Sequence, residues 1–246
     1  MIPGPPALVT CPACGAQHHR ESLISSNTIG ASFYSDGKMV AAMSPDFPIF
    51  TKCHSCSALF KITNENYKRA NRLEWGCYCY SDDGPIYGGG SKAPFPFVRF
   101  LEIDEYIAAI EQGLCNSAPK GSEEYNEDLT SLRRLLWWAF NDEFCDSACS
   151  IWSRRICGEG QESSGVEAIT DPRYLDNCRA MLAETSEDGA DDPTLLQLAE
   201  IHRNIGEFDE SIWVLDKVSD KVKYMRYISA ITEECAAQNR KTVIVD

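Results

Sequence analysis

Apolar positions along this chain change period near its middle. From Ile103 onward they recur three and four apart. Ile103, Tyr106, Ile107, Ile110 and Leu114 form one stripe of a helix, which Asp104 and Glu105 open with charge that suits its N-terminus. A second helix is predicted over 123–140 behind Ser122 as cap, burying Leu129, Leu132, Leu135, Leu136 and Phe140 beside Trp137 and Trp138. One of these tryptophans faces the core while the other reaches a neighbouring element. The segment 145–157 reads as helical, with Cys145, Cys149 and Trp152 on one face, and 158–165 as an exposed Gly-rich loop. Asp171-Pro172 and Asp192-Pro193 both read as an N-cap followed by proline at the first helical position. They start helices that run to about Glu184 and over 193–205, and two more are predicted over 208–218 and about 221–237.

Before residue 103 the pattern is that of short strands. Ala31 to Ser35 and Lys38 to Met43 are apolar, β-compatible runs separated by Asp36-Gly37, which predicts a hairpin that returns the chain to where it began. Leu59 to Ile62 is strand-like, and so is the stretch around Trp75, Cys77, Tyr78, Cys79 and Tyr80. The segment from Tyr67 to Trp75 fits a short helix or a plain connection. Ser81 to Phe97 reads as a Gly/Pro-rich linker or loop. Gly88, Gly89 and Gly90 lack the Lys-Ser or Lys-Thr pair of a phosphate loop, and Pro94 and Pro96 impose extended backbone. The expected class is α+β, with a β-rich region over 1–80, a linker over 81–98 and an all-α domain over 99–246.

Cysteine spacing adds the chemistry. Cys11 and Cys14 form one Cys-x-x-Cys pair, and Cys53 and Cys56 form another after an interval of 38 residues. Two such pairs supply the four thiolates of a closed tetrahedral zinc site. The interval is longer than in a compact four-cysteine site, and the hairpin is the device expected to shorten it. Four thiolates leave no open position, so this zinc is structural, not catalytic. A redox pair or a disulfide is the competing reading. His18, His19 and His54 lie near enough to compete as ligands, but surface histidines beside a completed site are the simpler expectation. Cys77, Cys79, Cys115, Cys145, Cys149, Cys157, Cys178 and Cys235 are read mainly as core residues, and Cys77-x-Cys79 as strand in preference to a second metal or redox site.

Charge narrows the partners. The chain has 246 residues and a net charge of −14. Residues 1–70 hold 6 Lys or Arg against 4 Asp or Glu, and the remainder hold 17 against 33. An acidic surface repels phosphate backbones and suits a basic protein. No stretch is long and apolar enough for a membrane span, and no targeting segment stands at the N-terminus, so a cytoplasmic location is expected.

The segment Leu195 to Val218, LLQLAEIHRNIGEFDESIWVLDKV, resembles a tetratricopeptide repeat. Leu198-Ala199 matches the Leu-small pair of the first helix, Gly206 the turn, Phe208 the aromatic that follows, and Leu215 and Val218 the apolar seats of the second helix. His202 stands where an aromatic is usual and Ser211 where alanine is usual; on this resemblance His202 is an interior or groove residue, not a base. A single repeat cannot bury its own face, so neighbouring helices must cover it. The hairpin motif from Asn27 to Lys38, the Pro-rich bridge, the Trp137 to Asp142 helix and the tetratricopeptide-like end together make the chain similar to a family of bacterial zinc-ribbon proteins. That resemblance implies architecture and no activity.

No nucleophile and base pair can be extracted from the spacing, and three of the four histidines lie near the cysteines. The acidic residues are expected on solvated helix faces. The expectation is therefore a non-enzymatic zinc-binding adaptor with no catalytic residues, whose acidic helical face binds a basic protein partner. The alternatives are an immunity or inhibitor protein that neutralises a basic toxin, and a nucleic-acid-binding ribbon using Arg20, Lys38, Lys52, Lys61, Lys68 and Arg69.

Overall fold

A computed structural model describes residues 1–69, 78–81, 84–87, 95–114, 121–144 and 170–245. In chain order the strands are β1 (Ile2–Pro3), β2 (Ala7–Thr10), β3 (Gln17–Arg20), β4 (Leu23–Ser25), β5 (Ser32–Phe33), β6 (Met39–Val40), β7 (Phe50–Lys52), β8 (Leu59–Lys61), β9 (Tyr67–Lys68), β10 (Tyr78–Ser81) and β11 (Gly84–Tyr87). The helices are α1 (Ile103–Glu111), α2 (Glu123–Phe144), α3 (Pro172–Glu184), α4 (Asp192–Ile205), α5 (Phe208–Asp216) and α6 (Met225–Ala236). A β-rich N-terminal region followed by helices gives the expected α+β class. Among the described residues no helix is long and apolar enough to cross a membrane. The expected helix and loop over 145–165, the Gly88 to Gly90 loop, Cys77 and Cys115 lie outside the described residues.

Contacts divide the chain into two units, one of Met1–Gly30 and Ala41–Leu129, the other of Ala31–Val40 and Thr130–Asp246. These limits differ from the expected 1–80, 81–98 and 99–246. The hairpin over 31–40 is grouped with the helices, α1 is grouped with the strands, and the division falls inside α2.

In the first unit β2 is the centre of a three-stranded antiparallel sheet, flanked by β3 and β9. β7 and β8 form a separate antiparallel hairpin, as do β10 and β11, in which Cys79 lies opposite Ile86. Tyr67 is thus in a strand and not a helix. The backbone past Pro96 runs alongside β3: the His19 amide donates to the Pro96 carbonyl at 2.8 Å and the Val98 amide to the His19 carbonyl at 2.7 Å. This is the extended backbone expected around Pro96. α1 is tied to β7 through Glu105, which accepts from Lys52 Nζ at 3.0 Å and from Arg99 Nη2 at 2.6 Å. Hydrogen bonds from Arg99, working against partial burial, hold the Glu105 carboxyl down at about 2.

The second unit is built on α3 to α6. Leu195, Leu198, Ala199, Val214, Leu215, Val218, Ile231 and Cys235 form its core, each large aliphatic chain contributing about 1.5–3 kcal/mol by burial. Gly206, at φ 92°, ends α4 in the left-handed conformation that glycine tolerates best. Ser211 is fully buried and its hydroxyl meets the Cys235 thiol at 3.4 Å, which explains how a hydroxyl is accepted where only a small residue fits. The caps follow the sequence with one shift. Asp171 caps α3 as read, but Asp191, not Asp192, caps α4 by accepting from the Thr194 amide at 3.0 Å. Asp192 is occupied elsewhere, accepting from the Ser219 and Asp220 amides beyond α5 at 2.8 and 3.0 Å. α6 begins at Met225, later than expected, because residues 221–224 form a turn. α2 runs on to Phe144, and Ser122 caps it as read, accepting from the Tyr125 amide at 3.2 Å.

The hairpin of β5 and β6 turns at Asp36-Gly37 as expected, with Gly37 at φ 76°. It does return the chain: the Asn27 amide meets the Met43 carbonyl at 3.2 Å. Its own contacts are with the helical unit. Trp138 Nε1 donates to the Asp36 carbonyl at 3.2 Å, Asn141 Nδ2 to Asp36 Oδ2 at 2.8 Å, and Lys38 pairs with Asp142. The C-terminal tail adds to it, the Ser35 amide donating to Val243 and the Val245 amide to Phe33. Trp137 is buried and donates to Asn204 Oδ1 at 3.0 Å, while half-buried Trp138 reaches the hairpin, the division of labour the tandem suggested.

Acidic residues do not all lie on solvated faces, contrary to expectation. Glu200 and Arg203 are both 0% exposed and ion-paired to each other. Glu200 Oε1 also accepts from the Ser35 hydroxyl at 2.7 Å. Arg203 donates to the carbonyls of Asn239 and, at 2.8 Å, Lys241. One pair on α4 therefore fixes both the hairpin and the tail.

Asp36 is also buried. Burial raises its carboxyl, the Glu200 charge adds to this, and the hydrogen bond from Asn141 only partly offsets it, leaving it at about 6 against an ordinary 3.8. Because the folded value is the higher one, this group's contribution to stability is complete below about pH 4 and is lost as pH rises through 6. The second unit is accordingly expected to lose on the order of 2–3 kcal/mol between pH 4 and pH 7.5 through Asp36. Urea titrations of wild type and Asp36→Asn at both pH values check this. A wild-type minus variant difference that stays flat would contradict it.

Candidate metal centre

Two loops of matching sequence and conformation carry the four cysteines. Cys11-Pro12-Ala13-Cys14-Gly15-Ala16 joins β2 to β3, and Cys53-His54-Ser55-Cys56-Ser57-Ala58 joins β7 to β8. In each, the first cysteine accepts at its carbonyl from the residue four positions on, Gly15 at 2.9 Å or Ser57 at 3.0 Å. It donates its amide to the alanine five positions on, at 2.8 Å in both loops. Gly15 and Ser57, at φ 76° and 60°, make the left-handed step that closes each loop. The repeated Cys-x-x-Cys-small-Ala pattern was visible in the sequence as a sign that both loops fold alike.

The hairpin over 31–40 shortens the interval between the loops, closing Asn27 on Met43, and strand pairing completes the return. Strand β9, which follows β8, pairs with β2 and so carries the second loop back to the first, and Thr10 reinforces it by donating to the Asn66 carbonyl at 2.8 Å. Val9, Phe60 and Ile62 pack around Cys11 and Cys53 beneath the junction.

The four sulfurs lie within 4.8 Å of one another. Cys11 Sγ is 3.8 Å from Cys56 Sγ, and Cys14 Sγ is 3.6 Å from Cys53 Sγ. A tetrahedral ion with metal–sulfur bonds of about 2.3 Å requires sulfur–sulfur edges of about 3.8 Å, so the donor set fits one such ion. Cys11 and Cys53 are 1% exposed while Cys14 and Cys56 face solvent, so the site has a buried floor and an open rim.

Electrostatics point the same way. Burial works to raise the Cys53 thiol, but the amides of Cys56 and Ser55 together with His18 bring it down to about 5. At Cys14 the Ala16 amide favours the thiolate, yet the neighbouring sulfurs, Cys56 foremost, push it up to about 12. Burial raises Cys11 as well. Four sulfurs this close cannot all ionise unless a cation shares the charge.

His18 and His19 are not surface residues, contrary to expectation. Both are buried in β3. His19 lies between the rings of Phe95 and Phe97, at 5.5 and 5.6 Å, and burial lowers its pKa. His54 is exposed, with its ring edge-on to that of His18. The strand pattern did not reveal this, because His18 and His19 point to opposite faces of β3 and both faces are covered there, by His54 and Phe60 on one side and by Phe95 and Phe97 on the other.

The other histidine, His202, is mostly buried and bonded to Glu207 at 2.7 Å, which suits an interior or groove position. Cys178 and Cys235 are buried core thiols, as expected. Comparison with known protein families, curated proteins and solved structures finds no match for this chain.

Proposed function

We propose that the protein is a non-enzymatic, cytoplasmic adaptor. In this reading a structural zinc ion at Cys11, Cys14, Cys53 and Cys56 holds a zinc ribbon, and a tetratricopeptide-like helical unit binds a basic protein. The zinc stands in for the hydrophobic core that strands of two to four residues cannot supply.

The observation that carries the binding role is on α5 and the turn after it. Trp213 is 57% exposed, with Asp209, Glu210, Asp216 and Asp220 exposed around it in sequence. An exposed tryptophan amid carboxylates suits a Lys- or Arg-rich partner, since the ring face accepts a cation while the acids steer it in. Lys217 Nζ already rests 3.3 Å from the centre of that ring, an internal instance of the same contact. Engagement of the basic residues in the first unit weighs against nucleic acid. Lys52 and Lys61 are paired with Glu105 and Asp128, and Arg20 stacks over Phe47 and Tyr67.

Affinity purification of the zinc-loaded protein from its own cells, followed by mass spectrometry, tests the reading. A stoichiometric basic protein is expected, bound less tightly at high salt and at least tenfold less tightly by Trp213→Ala. Toxicity of that protein alone would make this chain its immunity protein. Recovery of nucleic acid alone, or of a partner indifferent to both salt and Trp213→Ala, would overturn the adaptor.

A further inference from the structure

Overlapping the four-cysteine centre at Cys53 lies a second group of potential ligands, whose two histidines the first does not use. His18, Cys53 and His54 offer ligand atoms within 4.8 Å of one another. His18 Nδ1 and His54 Nδ1 are 3.4 Å apart. That is longer than the about 2.7–3.2 Å of a normal N–H hydrogen bond. It equals the edge of a tetrahedral site with metal–nitrogen bonds of about 2.0–2.1 Å, which comes to about 3.3–3.4 Å. The rings meet edge-on at 74° with centroids 4.6 Å apart and do not stack face to face.

His18 is 1% exposed, and its Nε2 has no hydrogen-bond partner among the described residues. Its polar contacts are made toward His54 and Cys53. A buried imidazole left half-satisfied is costly unless the satisfied side does something more than a long hydrogen bond.

We infer that His18, His54 and the sulfur of Cys53 form a second position for a borderline divalent cation such as Zn²⁺ or Co²⁺, with Cys53 bridging to the ion of the four-cysteine centre. The inference rests on that centre being metal-bound. A dication among four thiolates keeps a net charge of minus two, and a second dication held by two neutral imidazoles cancels it. Three protein ligands leave one position open, and exposed His54 gives access from solvent. The second ion is therefore exchangeable, while the first is enclosed.

The test is a titration of the full chain, preloaded with one equivalent of Zn²⁺, with Co²⁺. Co²⁺ binds such sites more weakly than Zn²⁺ and does not displace it. The expected result is one further equivalent, with the visible spectrum of tetrahedral Co²⁺ bearing a thiolate. His54→Ala, a change at an exposed ring, should weaken this second equivalent at least tenfold, and His18→Ala should do the same, while the first zinc remains. Saturation at a single zinc, or a second equivalent untouched by His54→Ala, would overturn the second position and leave the first intact. A wild-type chain that retains no zinc at all would sink both.

Discussion

Arg203→Ala is expected to lower the unfolding free energy of the second unit by about 3–5 kcal/mol, read as a fall in the urea midpoint of the helical signal. Its guanidinium uses the planar fork in full. Nε donates to Glu200 Oε2 at 2.9 Å, Nη2 to Glu200 Oε1 and the Lys241 carbonyl, and Nη1 to the Asn239 carbonyl. Alanine leaves the buried Glu200 carboxyl without its ion-pair partner and strips two tail carbonyls of their donors. Against a total stability of about 5–15 kcal/mol that is a large fraction. Arg203→Lys keeps the charge but cannot reproduce the fork, and should recover only part of the loss. Arg179, whose pair with Asp176 is largely exposed at 3.6 Å, supplies the contrast, because its removal should shift the midpoint little. Equal effects from Arg203→Ala and Arg179→Ala would mean that the buried pair is not what ties the hairpin and tail to α4.

Cys53→Ser is expected to release the metal and unfold the β-rich unit while the helices of the second unit persist. Apparent binding energies of structural zinc sites are about 10–16 kcal/mol, more than strands of this length can replace. Metal analysis should show loss of the ion, and hydrogen exchange should show loss of protection in β2, β3, β7 and β8. Removal by a chelator should do the same. It should be faster in acid, since protons compete with the ion for the same sulfurs and loading requires all four as thiolates. A Cys53→Ser protein with full metal content and unchanged thermal stability would end the metal assignment.

The parts of this fold that were legible in the sequence are those decided locally. Two Cys-x-x-Cys pairs foretold the cluster of four sulfurs, because the bite of each short loop fixes two sulfurs at once. Asp171-Pro172 and Ser122 announced helix starts through backbone chemistry that needs no tertiary context. Asp192 shows the limit: two adjacent aspartates could each cap α4, and the choice went to Asp191 because Asp192 is drawn to amides 27 and 28 residues away. Glu200 looked like a solvated acid, and only Arg203 three residues on, inside an apolar stripe, hinted that the pair was meant for burial. The hairpin over 31–40 was legible as a hairpin but not as part of the helical unit. Alternation reveals that one face is covered and is silent about what covers it.

The distance in sequence between that hairpin and the tail sets the order of events during synthesis. Ser35 and Val243, which share two hydrogen bonds, are 208 residues apart. At about 5–20 residues per second, roughly 10–40 s pass between the appearance of one and the other at the ribosome. Through that interval Asp36 stays hydrated and ionised, and the hairpin has no tail to pair with. It takes its place, and Asp36 gains its proton affinity, only after α4 has emerged and the tail has followed. Closure of the second unit is thus a late event that waits on translation, while the two cysteine loops and the β9 strand that joins them are complete by residue 68, long before.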